Sequence, residues 1–181
     1  LYAFHTVLTP QGLPLMSAEE FLHKWSVEEI HEMVFDNSDT DMLVAMPLPL
    51  TDMYKDGLSP WTECAKLAQL DPDRTVMWGT VNPLEGKAAL DDVTRQVEEY
   101  GAKAFKFYNV RYEDGGQVPW RMDDPKVAFP VFERIQELGV NLVGVHKGVP
   151  LGPQMIEHTQ TWDMDGAAGA FPDINFVIYH V

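Results

Sequence analysis

Five strand-like stretches begin near residues 41, 74, 102, 141 and 174 of the 181-residue chain, and stretches with helical periodicity separate them. This alternation constrains the fold more than any other feature. The run Met42-Leu43-Val44-Ala45-Met46 shows no polar alternation, which suits a strand covered on both faces. Ser59-Pro60 opens a helix with Cys64, Leu67, Ala68 and Leu70 inward. Leu90 to Tyr100 places Val93, Val97 and Tyr100 on one face and closes at Gly101. Asp124-Pro125 opens a further helix, with Val127, Phe132 and Ile135 inward, that ends at Gly139, and a shorter helical stretch lies around Met164 to Ala170. Units of roughly 30 to 40 residues are those of right-handed βαβ repeats, so the chain reads as α/β with a parallel sheet. Either a closed (β/α) barrel or an open doubly wound sheet accommodates the pattern. The glycine-rich phosphate fingerprint of dinucleotide binders is missing from the strand-to-helix turns, which weakens the open-sheet cofactor reading.

Before the first run, residues 1–25 read as loop, and Ser17 with Glu20 and Ser26 with Glu29 have the form of capping boxes. Asn109 to Asp123 reads as a polar loop. No linker or low-complexity tract divides the chain, so residues 1–181 are expected to form one domain, and Leu1 and Val181 look like cut ends. Cys64 cannot form an internal disulfide and reads as a buried, inert thiol.

With 13 basic against 28 acidic residues the formal charge is −15, which repels phosphate backbones and anionic lipid and argues against a nucleic-acid or membrane partner. No run reaches the ~18 apolar residues of a membrane span and no leader pattern is visible, so a cytoplasmic location is expected.

Two of the runs end on histidine. In Gly139 to Gly148 the residues Leu142, Gly144 and His146 share one face, and in Phe171 to Val181 the residues Ile174, Phe176, Ile178 and His180 share one face. If these strands are parallel neighbours, both imidazoles leave the sheet at its carboxyl edge, where α/β enzymes keep their chemistry. Neutral imidazole held rigidly at strand ends suits zinc and its neighbours.

The stretch Gly101 to Phe107, the helix from Asp124 to Gly139, the strand ending Val145-His146-Lys147-Gly148, and Phe171-Pro172-Asp173 followed by a strand ending on His180 resemble strands four to six of the metal-dependent amidohydrolase superfamily. The resembling branch includes aminocarboxymuconate-semialdehyde decarboxylase and related decarboxylases and hydrolases. The resemblance implies an incomplete (β/α)8 TIM barrel containing about strands two to six, with His146 as a metal ligand and His180 as the proton donor or acceptor beside the metal. The family's strand-one His-x-His pair has no counterpart, since Phe4-His5-Thr6 holds a lone histidine, and the strand-eight aspartate falls past Val181. In an intact member the metal activates a water or acts as Lewis acid on a small carboxylic-acid, amide or lactone substrate. Hydrolysis and decarboxylation both stay open.

Lys106, Lys147 and Arg111 are candidates for holding a substrate carboxylate, Arg111 through two parallel hydrogen bonds. Trp162 and Trp120 follow strands in places where pocket walls are built. The bland readings are a snorkelling structural Lys106, solvated acids at Asp163 and Asp165, and ordinary surface histidines at 5, 23, 31 and 158. A catalytically silent α/β segment with a packing or association role is the alternative to an enzyme. Unpaired sheet edges, above all Ile174 to Val181, predict an oligomer or poor solubility.

Overall fold

The computed structural model describes residues 2–51, 54, 57–113, 116–150 and 155–181, which fall into two compact units, Leu1–Asp39 and Thr40–Val181. In the first, α1 (Tyr2–Leu8), α2 (Ala18–Phe21) and α3 (Val27–His31) are short helices. Both capping boxes form: Ser26 Oγ accepts from the Glu29 amide at 3.2 Å while the Glu29 carboxylate accepts from the Ser26 amide at 2.8 Å, and Ser17 and Glu20 repeat the arrangement. α1 stands where loop was expected. His5 stacks on Phe21 at 4.7 Å and accepts from the Met16 amide at 3.1 Å, contacts distant in sequence that leave no trace in local periodicity.

The second unit carries the sheet. Its elements are β1 (Leu43–Ala45), α4 (Trp61–Leu70), β2 (Thr75–Gly79), α5 (Lys87–Glu98), β3 (Ala104–Tyr108), β4 (Val110–Glu113), β5 (Gly116–Pro119), α6 (Phe129–Glu137), β6 (Leu142–His146), α7 (Met164–Ala170) and β7 (Asn175–Tyr179). The described residues form a five-stranded sheet in the order β1-β2-β3-β6-β7, with every neighbouring pair parallel. Strand order follows chain order without the reversal that defines a doubly wound sheet, so right-handed crossovers put all the intervening helices on one face. This is the winding from which (β/α) barrels are built, and it argues against the doubly wound alternative. No described helix is long and apolar enough to cross a membrane.

Side-chain alternation separates the two faces. Phe105, Phe107, Val143 and Val145 turn toward the helices and join Val93 of α5 and Phe132 of α6 in one buried cluster. Phe132 anchors it, with ring centroids 5.7 Å from Phe107, 5.5 Å from Phe171 and 5.7 Å from Phe176. Removing such a ring typically costs ~3–5 kcal/mol. Lys106, Tyr108, Gly144 and His146 alternate onto the opposite, inner face.

Two elements differ from expectation. The loop expected over 109–123 contains an antiparallel hairpin in which Arg111 pairs with Val118 and Tyr112 with Gln117. Residues 114 and 115 of that stretch lie outside the described residues, although Asp-Gly is a dipeptide that favours two-residue hairpins. α6 begins at Phe129 rather than near Asp124 because Pro130 supplies no amide hydrogen. The preceding turn is instead capped by the Asp124 carboxylate, which accepts from the Lys126 and Val127 amides at 2.8 and 3.2 Å.

The end of β2 is fixed from the helix layer. The buried Gln96 side chain of α5 donates to the Thr80 carbonyl at 2.9 Å and accepts from the Thr80 amide at 3.0 Å. Thr80 Oγ1 in turn donates to the Lys106 carbonyl at 2.7 Å. Gly79 permits this approach, because a β-carbon there would lie 2.6 Å from Gln96 Oε1.

Candidate active site

The two histidines meet at the carboxyl edge, by a route that strand alternation alone does not give. His146 is in register with Tyr179, not His180, so alternation would send His180 toward the helices with Phe176 and Ile178. Instead β7 stops at Tyr179 and His180 adopts a left-handed backbone with φ of 68°. Its ring comes to rest with its centroid 4.8 Å from that of His146, inclined at 60°. A non-glycine residue in this region carries a cost that local packing must offset.

Gly148 provides part of that packing. Its φ is +74°, and a β-carbon there would lie 2.2 Å from the His180 carbonyl oxygen. The His-x-Gly spacing therefore fits both the turn after β6 and the close passage of β7's end. The Lys147 amide donates to the Tyr179 carbonyl at 3.2 Å and the Gly148 amide to the Thr159 carbonyl at 2.8 Å.

His146 is buried, stacks on Tyr108 with centroids 5.3 Å apart, and places Nε2 against the Val149 carbonyl oxygen at 2.5 Å. Burial pulls its pKa below the usual imidazole range. The Val149 carbonyl opposes that shift, and the nearby His180, Lys106 and Lys147 charges reinforce it. The ring is thus neutral near pH 7, and assigning the proton to Nε2 from its contact leaves the lone pair on Nδ1.

Lys106 is 2% exposed, and its side chain lies one rung below the row Tyr108, His146, Tyr179. Its ammonium sits 3.2 Å from the centroid of the Tyr179 ring and 5.5 Å from that of Tyr108. Burial lowers its pKa to about 8 and raises that of Tyr108 to about 12. Gly144 makes the room, since a β-carbon there would approach the Trp78 ring to 2.8 Å, the Tyr179 ring to 2.9 Å and Lys106 Cδ to 3.2 Å.

The other expected carboxylate-holding cations already have acidic partners. Lys147 is buried in an ion pair with Asp163, its Nζ 2.8 Å from Oδ1 and 2.9 Å from Oδ2, and Oδ2 also accepts from the Met122 amide at 2.8 Å. Asp163 is therefore a buried structural acid rather than the solvated loop residue expected. Burial lowers the Lys147 pKa, and its hydrogen bond to Asp163 opposes that shift. Arg111, on the hairpin, pairs with Glu85 at 3.1 Å. Trp162 is 70% exposed and, with Trp120, Arg121, His158, Lys147 and Asp163, lines a cavity of about 380 Å³. Trp120 is buried and donates through Nε1 to the Tyr108 carbonyl at 3.0 Å. His5 lies in α1 and His31 in α3, while His158 lies in a short 3₁₀ turn (Ile156–Thr159).

Among the described residues no group of three His, Cys, Asp or Glu side chains is arranged to hold a metal ion. Of the two imidazoles His146 is the expected ligand, one donor where zinc takes three or four protein ligands. Sequence reasoning missed Tyr108, Tyr179 and the Asp163 pairing. Gly144 was the legible signal, since a glycine inside an apolar strand marks close approach by something large.

A singly wound parallel sheet with paired imidazoles at its carboxyl edge defines an α/β fold of the kind that places ligand chemistry at that edge. The chain belongs to the amidohydrolase family, which matches it over residues 38–181. Among solved structures, 2,6-dihydroxybenzoate decarboxylase from Rhizobium superposes with a TM-score of 0.64 at 17% identity, covering 92% of this chain and 60% of that one. The 5-carboxyvanillate decarboxylase of Novosphingobium aromaticivorans, complexed with manganese and 4-hydroxy-3-methoxy-5-nitrobenzoic acid, gives 0.63 at 15%, covering 98% and 55%. That of Sphingomonas paucimobilis gives 0.52 at 19%, covering 83% and 50%. The chain thus spans between half and three-fifths of the length of these structures, which share its fold. No curated protein matches its sequence.

Proposed function

We propose that residues 1–181 belong to a single metal-dependent carboxy-lyase or hydrolase domain, corresponding to about strands two to six of a (β/α)8 barrel and acting on a small carboxylic acid. The observation that carries this reading is the 4.8 Å contact of the His146 and His180 rings at the carboxyl edge of an amidohydrolase-family sheet. Decarboxylation stands first because the similar structures named above are decarboxylases, and hydrolysis of an amide or lactone stands second. The special likeness to aminocarboxymuconate-semialdehyde decarboxylase belongs to this proposal as well.

In this reading His146, kept neutral by burial, holds a divalent cation through a ring nitrogen. Zinc suits its chemistry, and manganese is the ion bound in the 5-carboxyvanillate enzyme. The chemistry such a cation would supply when held by His146 is Lewis-acid polarisation of a substrate oxygen or activation of water. His180 moves the proton, a general acid–base task that imidazoles perform most often. The left-handed backbone that brings the His180 ring beside His146 supports this role. Lys106 and Trp162 face substrate; Arg111 and Lys147 do so only by exchanging Glu85 and Asp163 for a substrate carboxylate. The intact protein is a cytoplasmic homo-oligomer.

Metal analysis and product detection test this together. The intact protein, of which residues 1–181 alone are expected to be inactive, purified with Mn²⁺ or Zn²⁺ supplied, is expected to retain about one ion per chain, lost in His146→Ala, and to release CO₂ from a hydroxybenzoate. Retention of metal with cleavage of lactones or amides but no CO₂ selects the hydrolase. Absence of both metal and turnover rejects the enzyme in favour of a silent α/β segment.

A further inference from the structure

Among the described residues two lysines are buried, and they differ in one respect. Lys147 has a carboxylate against it, whereas among the described residues no carboxylate, hydroxyl or carbonyl hydrogen-bonds to the Lys106 ammonium. Its neighbours are the faces of Tyr179 and Tyr108. Burial holds both phenols above their usual pKa, so neither supplies a counter-charge near neutrality. A methionine would fill the same stem space without burying a charge, so stability alone does not account for an ammonium here.

Placement gives the charge a use. Gly144 opens the space in which the Lys106 stem lies, and Lys106 itself pairs with Gly144 in register. The ammonium therefore stands on the inner face next to the row that carries His146, with two aromatic rings beside it. A cation over a ring is a weaker partner than a cation hydrogen-bonded to a carboxylate, so an incoming anion can take the place of the Tyr179 face.

We propose that Lys106 forms an anion site on the inner face that takes the carboxylate of a small aromatic or unsaturated acid, with the acid's plane against Tyr108 and Tyr179. The proposal rests on the inner face being the substrate face and deepens that reading: the anion is held by the protein itself, without metal.

The test uses the 181-residue chain after exhaustive dialysis against chelator, with benzoate and its neutral isostere benzamide as probes, followed by thermal melting and titration calorimetry. Benzoate at ten times its Kd multiplies the folded fraction's advantage about elevenfold, which for a chain of this size raises Tm by about 3–6 °C. Benzamide is expected to do far less. Lys106→Met is expected to melt higher than wild type without ligand and to lose the benzoate response, while Lys106→Arg keeps part of it. Equal responses to benzoate and benzamide, or a Lys106→Met variant that binds benzoate as wild type does, overturn the proposal. So does a Lys106→Met variant that melts lower in the absence of a benzoate effect on wild type, which makes Lys106 a structural residue. Because metal is absent throughout, a charge-selective benzoate response in a protein without turnover removes only the catalytic reading, and turnover without that response removes only this one.

Discussion

Replacing Gly148 with alanine tests how the two imidazoles are brought together, and Gly139 supplies the control. Both glycines are left-handed, at φ of +74° and +77°. A β-carbon in that region costs about 1–2 kcal/mol wherever it occurs. At Gly139 nothing lies within 4 Å of the added carbon, so that cost is the whole expectation for Gly139→Ala. At Gly148 the carbon would also lie 2.2 Å from the His180 carbonyl oxygen, a backbone atom that cannot swing aside as a side chain can. Relief requires the ends of β6 and β7 to part by about an ångström, an overpacking cost of roughly 1–3 kcal/mol. Gly148→Ala is therefore expected to lose about 2–5 kcal/mol and Gly139→Ala about 1–2, as read from urea unfolding of the two variants beside wild type. Imidazole resonances in NMR should show the His146 and His180 rings moved apart in the first variant and still adjacent in the second. Equal stability losses, or rings that stay adjacent in Gly148→Ala, would refute the account of how His180 is positioned.

Asp163→Asn leaves the Lys147 ammonium buried without its carboxylate and is expected to cost about 3–5 kcal/mol in denaturant unfolding, with much of the loss recovered by adding Lys147→Met; a neutral single substitution contradicts the pairing. The folded pKa of His146 lies below its unfolded value, so its contribution to stability is complete above about pH 6.5 and falls as pH drops below that. Melting of wild type against His146→Gln should show the dependence on acidification in wild type only. Lys106, with a folded pKa of about 8 against an ordinary 10.5, has the same sign at higher pH. The melting temperature of wild type relative to Lys106→Met should rise between pH 8 and 10.5, and a flat difference contradicts the unpartnered burial. On the edge strand β7, Val177 and Ile178 are 37% and 38% exposed, so the chain is expected to self-associate in light scattering and Ile178→Lys to shift it toward monomer.

Strand positions were legible to within about two residues because strands and helices alternate at a steady spacing: expected starts near 41, 74, 102, 141 and 174 meet observed starts at Leu43, Thr75, Ala104, Leu142 and Asn175. Both capping boxes were legible because their partners lie three residues apart. Register was not legible. A one-residue offset places Tyr179, rather than His180, beside His146, and only the left-handed turn at His180 restores the pairing of rings. The Lys147–Asp163 ion pair was hidden for a different reason, since an acid in an acidic chain gives no sign of burial until its partner is located. α1 was missed because aromatic contacts to residues beyond Pro10 hold it, rather than its own periodicity.

The carboxamide of Gln96 offers the same donor and acceptor as a peptide unit, and it meets Thr80 as a neighbouring strand would. Helix α5 thereby lends the sheet one extra rung, and through the Thr80 hydroxyl that rung is bolted to the backbone beneath Lys106. At this point the floor is tied to the layer that supports it, so accommodation to a bound molecule falls first to the segments above the sheet.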